Sequence, residues 1–267
     1  MRHGARIIRT LAQATIAEAI RRKVLLVTLF TGLLFLIITP SLSVFSVRQE
    51  RSILLGLTLG IIQMTSLVIS IVLTMNLIPE EIERRTLYTI LSKPVQRWQF
   101  LVGKYLGAIS TLALMMSLMT VLMIGMFFLQ GHVYGSEQLL ELLQAPALFF
   151  LQMSLLSSLV LFFSTWMGAT VNFFLSGGMY LLGSLFNPVL ESISNNQQTS
   201  SGVKTLMIML NTILPNFANY NVQNPIINVG QQIQNETFYL LNVTFYGIFY
   251  ICVLLVLSIL VFDRREI

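Results

Sequence analysis

The densest run of ionisable side chains is Glu80-Glu81-Ile82-Glu83-Arg84-Arg85, followed by Thr86, Leu87, Tyr88 and Leu91 and closed by Ser92-Lys93-Pro94. Acids and bases in such a run serve recognition rather than bond-making. Arg84 and Arg85 offer planar donors to acidic partners, and Leu87, Tyr88 and Leu91 offer apolar anchors to a groove; the plainer alternative is that the basic residues only fix topology. No catalytic chemistry competes with this. The chain has no G-x-x-x-x-G-K-[ST] and no G-x-G-x-x-G run, hence no expected nucleotide site. His3 and His132 are far apart, and the single cysteine, Cys252, excludes an intrachain disulfide and a Cys-only zinc site. No serine or cysteine has a nucleophile's partner, so the chain is expected to be no enzyme and to hold neither cofactor nor metal.

The element that must position this run is a short helix. Pro79 suits a first helical position, and Glu80 and Glu81 fall in the first turn, where the helix dipole favours acids. Ser92-Lys93-Pro94 ends it, because the residue before proline disfavours the α region. A second helix is expected to start near Arg97-Trp98-Gln99-Phe100. This stretch, 79–99, is the only substantial loop on its side of a very apolar chain. Of 267 residues, 55% are apolar and 10% charged, well below the quarter usual in soluble domains. The length fits one helical bundle and no second soluble domain.

Six apolar runs are long enough to cross a hydrocarbon core: Val24–Phe45, Ile53–Ile78, Phe100–Leu129, Ala147–Met167, Thr170–Leu190 and Phe238–Phe262. None alternates as a barrel strand would, so an all-α integral membrane fold is expected. With six spans, thirteen of the sixteen Lys and Arg residues fall on one side, leaving Arg48, Arg51 and Lys204 opposite. That bias puts both termini and the 79–99 loop in the cytoplasm, and an odd count would break the agreement. The net charge of +5 is therefore read as attraction to anionic headgroups, not to nucleic acid. The first apolar run lacks an A-x-A-like site and reads as a retained anchor. Before it, residues 1–23 form an expected amphipathic interfacial helix. Ile7, Ile8, Leu11, Ala12, Thr15, Ile16 and Ala19 share one face, and Arg6, Arg9, Arg21, Arg22 and Lys23 carry its charge. Packing on a protein surface is the alternative.

The fourth and fifth runs make a tight hairpin at Gly168-Ala169, and Gln130–Pro146 joins the third and fourth outside. The 191–237 stretch is the largest external feature. Val203–Leu214 within it is too short to span, hence interfacial or re-entrant, which makes a short helical loop before the last span. No Asp, Glu, Lys, Arg or His lies mid-span, which argues against proton coupling. Gln63, Asn76, Gln152 and Asn172 are expected to bond between helices, and Gly56-x-x-x-Gly60 and Gly103-x-x-x-Gly107 to permit close approach. Met115, Met116, Met119, Met123 and Met126 read as packing filler, with a lipid-like path as the sharper alternative.

The run Glu81-x-Glu83-Arg84-Arg85-Thr86-Leu87-x-x-x-Leu91-Ser92-Lys93-Pro94-x-x-Arg97-x-x-Phe100-x-x-Gly103-Lys104-x-x-Gly107 resembles the loop after the second span of type-2 ABC exporter permeases, the ABC-2 superfamily. The N-terminal helix, six spans and helical loop before the last span fit the same architecture. The resemblance implies one permease domain over 1–267, working as a dimer with a second permease copy and two copies of an ABC ATPase subunit. ATP and magnesium would sit on that partner. Glu81, Glu83, Arg84, Arg85, Thr86, Leu87, Tyr88 and Leu91 would form the coupling helix that docks on it. The membrane would be the cytoplasmic (inner) membrane, with the 191–237 loop free for an extracytoplasmic partner. Two rivals stand: an ion-coupled secondary transporter or channel, and a membrane scaffold through which an ATPase drives external work. The substrate is not legible.

Overall fold

The computed structural model describes residues 2–43, 50–83, 96–131, 136–195, 202, 209, 214–220 and 236–264. Every regular element among them is a helix: α1 (Arg2–Arg21), α2 (Lys23–Ser43), α3 (Glu50–Met75), α4 (Pro79–Glu83), α5 (Arg97–Leu129), α6 (Ser136–Ser164), α7 (Ala169–Asn195), a 3₁₀ turn (Ala218–Tyr220) and α8 (Glu236–Arg264). Among the described residues, five stretches are long and apolar enough to cross a membrane: Lys23–Ser41, Ser52–Glu83, Arg97–Leu129, Leu142–Ser164 and Phe238–Arg264. The apolar part described on α7, Ala169–Leu185, is shorter.

The bundle is organised around α6, which packs against α3, α5, α7 and α8. Its apolar window is 78% buried, against 22% for α2 and α8 at the periphery. A helix enclosed on all sides has no lipid-facing stripe, which is why α6 can carry Gln152, Ser154, Ser157 and Ser158, all buried. The helix also begins earlier than expected. The sequence places the end of the outer connection at Pro146, but α6 runs through that proline from Ser136. Leu142, Ala145 and Leu148 are buried around it, and such packing outweighs the roughly 3 kcal/mol a proline costs inside a helix.

At the other end α6 stops at Ser164 and α7 starts at Ala169, the tight hairpin expected. Asn172 clamps it, donating from its amide to the Val160 carbonyl at 2.9 Å and accepting from Ser176. Met115, Met116, Met119 and Met123 point into the bundle, as filler would. Little of the 191–237 stretch is described, and most of Val203–Leu214 lies outside the described residues. The described part, Leu214–Tyr220, is inserted among α6, α7 and α8, and Phe217 and Tyr220 are wholly buried.

Candidate functional site

The first turns of α5 collect contacts from three directions. On one side lies α1, running in the same sense. A methyl group added at Gly103 would meet Leu11 Cβ at 2.8 Å, and one at Gly107 would meet Thr15 Cβ at 2.6 Å and the Ala12 carbonyl at 2.8 Å. These glycines let the two helices touch at the backbone. The apolar face read from the sequence is thus spent on protein: Thr15 and Ala19 are buried, and Ile8, Leu11 and Ala12 lie against α5. Gly60 on α3 behaves differently. A methyl group added there would meet nothing within 4 Å, so close packing is not its role.

On a second side lies the end of α8. Arg97 donates to the carbonyls of Phe262 and Asp263 at 3.0 Å each, satisfying C-terminal groups that have no partner within the helix. Phe100 stacks on Phe262 with centroids 6.1 Å apart.

The third contact is ionic. α4 follows α3 through a turn at Asn76–Ile78, with the Glu80 amide bonded to the Asn76 carbonyl at 3.2 Å. Pro79 opens α4, and Glu80 and Glu81 fill its first turn as expected. Lys104, its side chain 7% exposed, donates to Glu81 at 2.5 Å and lies 3.6 Å from Glu18. Arg22, in the break between α1 and α2, pairs with Glu18 at 2.9 Å and with Glu80. Five charges from three segments therefore surround a cavity of about 110 Å³, with Asn76 and Leu77 completing its wall. Burial pushes the Glu18 carboxyl up, but Lys104 and Arg22 more than offset this and hold it below its ordinary 4.5.

A depressed carboxylate stabilises the fold fully above its unfolded value and loses that contribution as pH falls through the folded one. The melting temperature of wild type should therefore exceed that of Glu18→Gln at pH 7, and the gap should close as pH falls below 4.5. A gap that stays unchanged throughout the acid range below 4.5 in which the protein stays folded would remove Glu18 from the ion network.

The structure brings only some of the expected site residues together. Glu81 is in the cluster, while Glu83, ending α4, is exposed. Arg84, Arg85, Thr86, Leu87, Tyr88 and Leu91 lie outside the described residues. Arg6, Arg9, Arg21 and Lys23 are exposed on α1 and at the start of α2. Arg22 departs from the basic face assigned to it and turns into the cluster. Glu18, Glu80 and Lys104 are site residues that sequence reasoning misses. The i,i+4 spacing of Glu18 and Arg22 is the available signal, whereas Lys104 meets residues far from it along the chain.

A second polar constellation sits deep in the bundle. The Gln63 amide on α3 donates to Gln152 Oε1 on α6 at 3.3 Å and to Tyr180 Oη on α7 at 3.1 Å. Ser70 bonds Ser157 at 2.9 Å and the Met153 carbonyl at 3.1 Å. Gln63, Gln152 and Asn172 thus link helices as expected, while Asn76 lies in the α3–α4 turn.

An all-helical bundle of apolar spans, with a charged helix held at one end, defines a multi-pass membrane protein. The chain belongs to the ABC-2 transporter family: the family described as "ABC-2 family transporter protein" matches residues 9–267. It is a membrane permease of the ABC type, a class that partners an ABC ATPase subunit. A search of curated proteins returns no match to the chain. Within the motif that carried the resemblance, Arg97 and Phe100 hold α8, Gly103 and Gly107 receive α1, and Lys104 holds α4.

Proposed function

We propose that the chain exports a substrate across the cytoplasmic membrane as a six-span homodimer, with both termini cytoplasmic and two ATPase copies docked on that face. In this reading α7 is the fifth of the six spans, completed by the helix beyond Leu185. Glu81–Leu91 would be the coupling helix, and its first residues belong to α4. The observation that carries the reading is the clamp on α4. The helix leading into the loop follows directly from α3, and ion pairs tie it to α1 and α5. A push on the loop is thereby delivered to three segments at once. Lys104 and Arg22 resist slippage because breaking a partly buried pair strands a charge.

The test is co-purification with an ATPase encoded beside the chain, comparing wild type with the double substitution Arg84→Glu/Arg85→Glu. Reversing both charges opposite an acidic partner should abolish the complex or reduce stimulated ATP hydrolysis at least about tenfold, the equivalent of about 1.4 kcal/mol. A complex of unchanged stability and hydrolysis would remove the loop from coupling.

A further inference from the structure

The segment Leu214–Tyr220 is irregular backbone in an unusual place. Gly183, which it touches, is about 20 Å along α7 from the Ala169 end, and Gly247, which it also touches, is about 16 Å along α8 from Glu236, at about 1.5 Å per residue. Both helices thus carry it well inside a hydrocarbon core about 30 Å thick. Non-helical backbone at such depth is tolerated only where protein covers it or where it lines an aqueous path. Here the cover is specific. The Phe217 amide donates to the Gly183 carbonyl at 3.1 Å, and its carbonyl accepts from Gln152 Nε2 at 2.8 Å. The Asn216 amide donates to Tyr246 Oη at 3.0 Å, and Tyr239 Oη donates to the Asn219 carbonyl at 2.8 Å. Each of these partners stands on α6, α7 or α8.

Gln152 uses both ends of its amide. The NH₂ group holds Phe217, and the oxygen accepts from Gln63 on α3. Gln63 also bonds Tyr180, whose ring packs against Phe217 with centroids 5.3 Å apart. Gln63 therefore touches the two side chains that grip Phe217, and it stands on the helix that leads into α4.

We infer that residues 214–220 are the exit plug of the permease, and that Gln63 and Gln152 are the positioning residues that couple its release to movement of α3. The inference rests on the export reading above. When α3 shifts against α6, Gln152 loses the bond that orients its amide, and Phe217 loses its donor. The buried carbonyl then gains by moving toward water, and the plug withdraws. Gly183 is what lets the plug seat. A methyl there would lie 2.5 Å from the Pro215 carbonyl and 2.7 Å from the Phe217 ring.

The experiment uses full-length protein in sealed vesicles, with Cys252→Ser and the reporter Ala218→Cys. A membrane-impermeant maleimide is added from the extracytoplasmic side. Gln152→Leu should raise the labelling rate about tenfold, as expected for losing one buried hydrogen bond with its desolvation penalty. Gln63→Leu should raise it less. Gly183→Ala, which deletes no hydrogen-bonding group and acts by displacing Pro215 and Phe217, should raise it as well. Ser70→Ala breaks another α3–α6 contact without touching the plug and should leave the rate unchanged. Parental rates in both Gln152→Leu and Gly183→Ala, with both proteins eluting as folded species, would overturn the plug. Equal acceleration by Ser70→Ala would overturn it too, by showing general loosening. Adding the ATPase and ATP separates the two readings. Acceleration in the parent that Gln63→Leu abolishes supports both. Variant effects without any ATP effect leave the plug standing and count against ATP-driven export.

Discussion

Replacing Lys104 with methionine should cost the permease about 2–4 kcal/mol of stability, somewhat less than the ~3–5 kcal/mol for breaking a fully buried pair from one side, because Glu18 is 35% exposed. The substitution keeps most of the side chain's volume and removes its charge. Glu81 then loses its donor at 2.5 Å and Glu18 loses the cation 3.6 Å away. Among the described residues lining the same small cavity, Arg22 is then the base that remains beside Glu18, Glu80 and Glu81. A partly buried carboxylate that loses a counter-charge bears more of its desolvation cost, so the hold on α4 should weaken. The prediction is checked by thermal unfolding in detergent together with ATPase binding. Lys104→Met should lower both, and the added change Glu81→Gln should restore more than half of the lost stability. If the double variant is no better than the single one, the loss comes from packing and the ionic account fails.

Gly107→Val should have a comparable effect through a different route. The new side chain would begin where the Ala12 carbonyl is 2.8 Å away and the Ala12 Cα 3.1 Å away. Those are backbone atoms, which cannot rotate aside, so α1 must lift as a whole. Overpacking of this kind costs about 1–3 kcal/mol, and the upper end applies where backbone has to move. Lifting α1 also carries Glu18 and Arg22 away from Lys104 and Glu80, so the ion cluster opens with it. Gly125 supplies the control, because nothing lies within 4 Å of the equivalent methyl position. Gly125→Val should change the melting temperature by no more than a surface substitution does, within about ±0.5 kcal/mol. Protease cleavage of α1 should rise sharply in the first variant and stay at the wild-type rate in the second. Equal behaviour of the two would mean that close approach at Gly107 is not what seats α1.

How much of this was legible in the sequence follows from what periodicity and local chemistry encode. The α1 face, the start of α4 at Pro79 and the Asn172 hairpin are set by residues within a few positions of one another, so helical spacing exposes them. Gly103-x-x-x-Gly107 was legible as a close contact, and its partner was α1. Gly56-x-x-x-Gly60 has the same spelling, yet Gly60 faces open space, because spacing along one helix says nothing about what stands opposite. The ion cluster was only half legible for the same reason: Arg22 and Glu80 are 58 positions apart. Of the grip on Phe217, only the tendency of Gln63 and Gln152 to bond between helices was legible. The grip joins positions 63, 152, 180 and 217, each an ordinary polar or aromatic residue by itself, and only the packing of α3, α6 and α7 assembles them.

The enclosure of α6 has a consequence for how the protein is made. A nascent chain releases its spans one after another, and each waits in lipid until its neighbours arrive. The peripheral helix α2, mostly exposed and apolar along its length, can wait with little loss. α6 enters carrying Gln152, Ser157 and Ser158, whose partners or cover include α7, α8 and Leu214–Tyr220, all synthesised later. The short hairpin to α7 shortens that wait, since the next span follows directly after Thr165–Gly168. Until residue 217 has emerged, however, the Gln152 amide still lacks its last acceptor. An interrupted chain ending between α7 and α8 would present an unsatisfied polar surface in the hydrocarbon.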